Sequence, residues 1–244
     1  MTDGTSAPDL TRFEVATFDC YGTLIDWETG ILTALRPIVS AHGIHPTDDA
    51  VLEAFAHEEA RAQRAAWTPY AHVLERVVDG IGDRFGFRPL AGERSALASS
   101  LTAWLAFPDT AAALAELQRR YRLVVVSNID DDQFAGTARG LGVELHDVVT
   151  AQQVRSYKPG RRHFDEVCAR TGLHASRILH VAQSLHHDIA PAKALGFATV
   201  RVNRRTGRTR SGATPPSDAV PDLEVPDLAT LAARVAEAWK GEPA

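Results

Sequence analysis

The chain has 244 residues, 45% of them hydrophobic and 23% charged, with a formal net charge of −5. That length buries a sizeable core without staples, and two cysteines, Cys20 and Cys168, make no disulfide framework. The negative balance argues against a nucleic-acid partner, no window is long and apolar enough to span a bilayer, and the polar opening MTDGTSAPDLTR lacks the apolar run of a signal peptide. A cytoplasmic monomer or homodimer, free of membrane, is expected.

In chain order, Val15 to Phe18 is a short apolar run that stops at Asp19 and reads as a buried strand. From Trp27 to Leu105 only helical spacing follows. Ile31, Leu35 and Ile38 share one face, Val51 and Phe55 another, and Val73, Leu74 and Val77 a third. This stretch is too long for a simple strand-to-helix connection. It reads as a helical insertion over the sheet's carboxyl edge, entered near Asp26 and left near Pro108.

Strands are then predicted at Leu123–Val126, Asp147–Thr150, Ile178–Ala182 and Ala198–Val202. Helical patterns separate them: Leu114, Leu117 and Tyr121; Phe134, Ala138 and Leu141; Phe164, Val167 and Cys168; Ile189, Ala192 and Leu195. Such alternation implies an α/β fold with a doubly wound parallel sheet. Arg201, Arg204, Arg205, Arg208 and Arg210 lie among Gly207, Gly212, Pro215 and Pro216, which reads as a flexible, solvated loop. Pro226 to Trp239 looks like a closing helix.

Ligands of open parallel sheets bind beyond the carboxyl ends of the strands. The polar residues that follow the predicted strands are Asp19, Tyr21 and Thr23; Ser127 and Asn128; Lys158; and Gln183, Ser184 and Asp188. Asp19 can attack carbon or phosphorus and form an ester that water cleaves. Lys158 can pair with Asp19 and keep it ionised. Thr23, Ser127 and Asn128 offer neutral donors to a substrate carboxylate or phosphate. Asp188 can hold Lys158, position water or bind a metal.

Several further residues have a bland reading beside a functional one. Trp67, Pro69 and Tyr70 fit helix packing as well as a pocket wall. Arg61 and Arg64 fit a solvated helix face or an anion receiver. His186 and His187 read as helix-start residues near a pocket rim, and Asp130, Asp131 and Asp132 as a charge cluster suited to a helix N-terminus. Cys20 reads as a buried structural thiol.

Phe18-Asp19-Cys20-Tyr21-Gly22-Thr23-Leu24, Val126-Ser127-Asn128, Ser156-Tyr157-Lys158-Pro159 and Val181-Ala182-Gln183-Ser184-Leu185 through Asp188-Ile189 resemble, in order and spacing, the four motifs of the haloacid dehalogenase superfamily. The resemblance covers nearly the whole chain. It implies a Rossmann-like core of residues 1–26 and 106–244, with a helical cap of residues 27–105 inserted after the first strand. It also implies Asp19, Lys158 and Asp188 as catalytic residues, and Tyr21, Thr23, Ser127, Asn128, Gln183 and Ser184 at the substrate.

Phosphatases of that superfamily carry a second aspartate two residues after the nucleophile, where this chain has Tyr21. In that respect the chain resembles the 2-haloacid dehalogenases, which use no metal. The fourth motif has the phosphatase layout, but Gln183 stands where a metal-binding aspartate is usual, and a neutral amide weakens a Mg²⁺ site. A tyrosine expected after the lysine is replaced by Phe164. The resemblance therefore implies halide displacement from a small, anionic 2-haloacid without a cofactor. The alternatives are a phosphatase or phosphonatase type with a weakened Mg²⁺ site at Asp19 and Asp188, or the same fold with another substrate.

Overall fold

The structure, a computed structural model, describes residues 7–208 and 210–241. Its centre is a six-stranded, all-parallel sheet built from β1 (Val15–Phe18), β2 (Arg122–Ser127), β3 (Asp147–Thr150), β4 (Ile178–Ala182), β5 (Ala198–Val202) and β6 (Leu223–Val225). The order across the sheet is β3-β2-β1-β4-β5-β6. The winding direction therefore reverses beside β1, which is the switch point at which open α/β sheets form a crevice. Helices cover both faces, so the central strands read as unbroken apolar runs rather than alternating ones. Alternate residues serve different layers: Val15, Val124, Val126 and Ile178 pack with Phe164 and Val167, while Ala16, Phe18, Leu123, Val125, Leu179 and Val181 belong to the larger core on the other face.

Between β1 and β2 the chain forms α1 (Trp27–Ala41), α2 (Asp48–Gln63), α3 (Tyr70–Phe85), α4 (Ala91–Ser100) and α5 (Thr110–Leu117). Local chemistry starts these helices. Asp26 caps α1 by accepting from the Thr29 N–H at 3.3 Å, and Thr47 caps α2 by accepting from the Ala50 N–H at 3.3 Å. Their apolar stripes, including Ile31, Leu35, Phe55, Leu74 and Val77, join the same core as the sheet. Gly30 lets α1 meet Trp104 closely, since a β-carbon there would fall 2.4 Å from the indole.

The rest of the fold alternates as expected: α6 (Asp131–Ala138), α7 (Ala151–Val154), α8 (Arg162–Thr171), α9 (Ala190–Ala194) and the closing α10 (Leu228–Ala238). The edge strand β6 is an addition to the predicted set. The arginine-rich stretch also departs from expectation. It is tied down at several points, although Arg208 and Arg210 stay exposed: Arg204 binds both oxygens of Asp109 at 2.8 and 2.9 Å, Arg205 pairs with Glu28 on α1, and Arg210 reaches Glu53 on α2 at 2.7 Å. No helix among the described residues is long and apolar enough to cross a membrane.

Candidate active site

Asp19 stands just past the carboxyl end of β1, its backbone N–H donating to Val181 O at 3.0 Å. The chain then turns sharply, with the N–H groups of Leu24 and Ile25 both donating to Cys20 O. Gly22 makes this turn at a φ of +95°, and a β-carbon there would sit 2.7 Å from the Trp27 indole nitrogen, so glycine is required on both counts. The turn brings Thr23 back onto the predicted nucleophile. The Thr23 hydroxyl donates to Asp19 Oδ2 at 2.7 Å and accepts from the Gln183 N–H at 2.9 Å.

Lys158 arrives from the loop after α7 and is buried, 1% exposed. Asn128 brackets its backbone: Asn128 Oδ1 accepts from the Lys158 N–H at 2.7 Å, and Asn128 Nδ2 donates to Lys158 O at 3.2 Å. The ammonium spends its three protons on Asp19 Oδ1 at 2.9 Å, Asp188 Oδ1 at 2.6 Å and Val126 O at 2.9 Å. Asp188 Oδ1 also meets His180 Nε2 at 3.2 Å, and His180 Nδ1 meets the Thr17 hydroxyl at 2.8 Å. A buried charge demands such pairing.

The electrostatics follow from burial against this pairing. Burial alone would raise Asp188, but Lys158 and His180 outweigh it and hold the carboxyl well below its ordinary range. Burial would likewise lower Lys158, yet the two carboxylates keep its ammonium above the usual value. Asp19 is raised by burial, with the Asp188 charge adding to it and Lys158 and Thr23 opposing. Lys158 is thus a fixed cation between two carboxylates, and Asp188 is a poor proton acceptor.

A small cavity of about 30 Å³ opens at Asp19. Its sheet-side wall includes Ser127, Asn128, Lys158, Ser184, His187 and Asp188. These residues follow β2, β3 and β4 and meet Asp19, which follows β1, at one end of the sheet. Tyr21 also borders the cavity, its hydroxyl paired with Thr137 Oγ1 at 2.6 Å and its ring edge-on to Trp104. Gln183 is different. Its backbone N–H donates to the Thr23 hydroxyl, and the residue lines two neighbouring clefts with Arg205 and Arg208 rather than the cavity at Asp19.

Other candidates sort clearly. Tyr70 lines the cavity; Trp67 instead stacks under the Arg155 guanidinium. Arg61 pairs with Glu58 and Arg64 is exposed, so neither reaches Asp19. His187 is a wall residue rather than a rim residue, because a single π-helical turn, Leu185–Ile189, rotates it inward; burial lowers it to about 4, so it is neutral near pH 7. Asp130 precedes α6 and reaches back to accept from the Ala71 N–H of α3 at 3.3 Å, tying the helical segment to the sheet. Cys20 is fully buried.

Sequence reasoning missed Trp27, Thr214 and above all Glu59, which all line the cavity. Glu59 had a signal. Val51, Phe55 and Glu59 follow at intervals of four along α2, which puts a carboxylate in line with a buried apolar stripe.

Known proteins share this plan. An (S)-2-haloacid dehalogenase of Pseudomonas sp. (strain CBS-3) is 24% identical over 195 residues, covering 77% of this chain and 83% of the relative. The L-2-haloacid dehalogenase of Xanthobacter autotrophicus superposes with a TM-score of 0.76 at 20% identity, over 95% of this chain and all of that one (100%). The HAD hydrolase YfnB of Bacillus subtilis, solved with magnesium, gives 0.76 at 19% identity, over 92% and 99% of the two chains. At these identities the structural likeness speaks for the fold. A family model of the haloacid dehalogenase-like hydrolases matches residues 13–196, more than half of the chain, and the protein belongs to that family.

Proposed function

We propose that this hydrolase displaces halide from C2 of a small 2-haloacid, with Asp19 as covalent nucleophile and without a metal ion. One observation carries the reading: Lys158 bridges Asp19 and Asp188 and already supplies the positive charge that holds them together. A Mg²⁺ ion would have to share those two carboxylates with Lys158 and would need further hard donors. The neighbouring positions carry Tyr21, whose hydroxyl is committed to Thr137, and Gln183, a neutral residue that does not line the cavity. No group of three His, Cys, Asp or Glu residues among the described residues is suited to hold a metal. The donor set does not fit Mg²⁺.

Phosphoryl transfer relies on cations that spread the charge of the moving group. The cavity's lining offers only Lys158, whose protons are spent, beside Asp19, Asp188 and Glu59. Displacement at carbon asks for less. In the proposed sequence an Asp19 oxygen attacks C2, and the halide leaves with the bonding pair. Water then attacks the carbonyl carbon of the Asp19 ester, freeing the 2-hydroxyacid and restoring the carboxylate. Ser127 and Ser184 supply hydroxyls for the substrate carboxylate, Asn128 and Thr23 hold Lys158 and Asp19 in register, and the helices of residues 27–105 act as the cap. The small cavity suits a short acid. The likeness to (S)-2- and L-2-haloacid dehalogenases supports the same class.

The test is halide release from short chloro-, bromo- and fluoroacids in EDTA, beside Asp19→Asn. Release by the wild type alone is expected. Release that requires added Mg²⁺ would contradict the proposal.

A further inference from the structure

The cap-side wall of the cavity holds a carboxyl group that the scheme above does not use. Glu59 lies on α2, is 3% exposed, and shares the cavity with Asp19. Its one hydrogen bond among the described residues is from the Tyr70 hydroxyl, at 2.5 Å to Oε1. Its neighbour Glu58 points the other way and pairs with His57 and Arg61. Glu59 has no such partner among the described residues, so a buried carboxyl is held in the site without a cation.

A leaving halide carries a full negative charge and needs a donor to receive it. Lys158 has no proton to spare. His187 is neutral, and the Tyr21 hydroxyl is bound to Thr137. Arg61 and Arg64 stand outside the cavity. On the cap side the Trp27 indole offers an N–H but no transferable proton, and Glu59 is the group that can hand one over, since it becomes a donor once protonated.

Resting on the haloacid reading, we propose that Glu59 is the catalytic acid–base residue, protonating the leaving group as Asp19 attacks and then taking a proton from the water that cleaves the ester. The atoms balance. With a fluoroacid, the Asp19 oxygen–carbon bond forms in the first step, the carbon–fluorine bond breaks, and fluoride departs with the Glu59 proton as hydrogen fluoride, whereas bromide leaves as the free anion and takes no proton. In the second, water adds its oxygen to the ester carbonyl. One water proton goes to Glu59 and the other leaves with the product hydroxyl, while Asp19 regains its charge. The same division of labour serves paired carboxylates in glycoside hydrolysis. It follows that the enzyme favours a leaving group that readily accepts a proton, so fluoride gains most and bromide least.

The groups facing Glu59 agree on the required protonation. Burial raises it to about 7, with the Asp19 charge adding to burial and the Tyr70 hydroxyl opposing it. Tyr21, Tyr157, Lys158, His187 and Asp188 complete the titratable surroundings, and Lys158 is shared between Asp19 and Asp188. The acid form therefore predominates below neutrality.

The experiment is kcat/KM against pH for fluoroacetate and bromoacetate, since this ratio covers the steps through halide departure. For the wild type, fluoride release should fall as pH rises through about 7. Glu59→Gln should remove that alkaline limb and cost about 10²–10⁴-fold on fluoroacetate. On bromoacetate, whose leaving group needs no proton, the loss should be under about tenfold. Tyr70→Phe removes the hydroxyl that favours the ionised form, so it should move the limb to higher pH. Equal losses on both acids with an unmoved limb in both variants would overturn the role of Glu59. No halide from either acid with the wild type would overturn the haloacid reading beneath it.

Discussion

The two walls of the cavity solve the problem of buried charge in opposite ways. On the sheet side, Asp19 and Asp188 share Lys158, at 2.9 and 2.6 Å, and Asp19 also accepts from the Thr23 hydroxyl at 2.7 Å. On the helical side, Glu59 is equally buried but has only a tyrosine hydroxyl. Pairing holds Asp188 and Lys158 in their charged forms. The absence of a cation makes the second wall change its charge near neutrality. A reaction that needs one fixed nucleophile and one movable proton is served by that asymmetry.

The largest effect should come from the sheet side. Asp19→Asn removes the proposed nucleophile, and halide release should fall by at least about 10⁴-fold, measured by ion chromatography. Retention of a tenth of wild-type activity would show that the two walls do not divide the work in this way. Lys158→Met deletes the shared cation and leaves two carboxylates facing each other, so urea denaturation should show a loss of about 3–5 kcal/mol together with lost activity.

Glu59→Gln sharpens the contrast, because it should stabilise the fold at high pH. The folded-state value of Glu59 is raised to about 7, so its contribution to stability is complete below the ordinary carboxyl range and is lost as pH climbs through about 7. At about pH 8 the amide should be more stable than the glutamate by an amount on the order of 2 kcal/mol, and near pH 4 the difference should vanish. Asp188, held below its ordinary range, runs the other way: its contribution is present at neutral pH and is lost on acidification. The smallest effect is expected at Arg64, which lies outside the cavity. Arg64→Ala should leave kcat/KM for a haloacid within about twofold, since surface substitutions away from such features are near neutral.

The sheet side was legible in the sequence, and of the helical side little beyond Tyr70 was. Strand ends announce themselves: an apolar run such as Val15–Phe18 stops at a polar residue, and the parallel topology then brings Asp19, Ser127, Lys158 and Asp188 to one edge. The helical stretch gave its periodicity but not its docking, because the angle at which α2 and α3 meet the sheet depends on long-range contacts such as Asp130 to Ala71. Glu59 therefore went unnoticed among the helix carboxylates, while Arg61 and Arg64 were the cap residues considered. The strand β6 was missed for a related reason. Three residues, Leu223 to Val225, carry too little pattern, and they are a strand only because β5 is there to pair with them. The arginine-rich loop misled in the same way, since its partners Glu28, Glu53 and Asp109 lie far away in sequence.

The central claim is that Asp19 forms a covalent ester without a metal ion. The most direct measurement is a single turnover of excess enzyme on a short 2-haloacid, in heavy-oxygen water containing EDTA, followed by mass analysis of the peptide that contains Asp19. The account predicts that the label enters the Asp19 carboxylate and that the first-turnover product carries none of it. Label found in the product and absent from the peptide would mean that water attacks the substrate directly, and would contradict it.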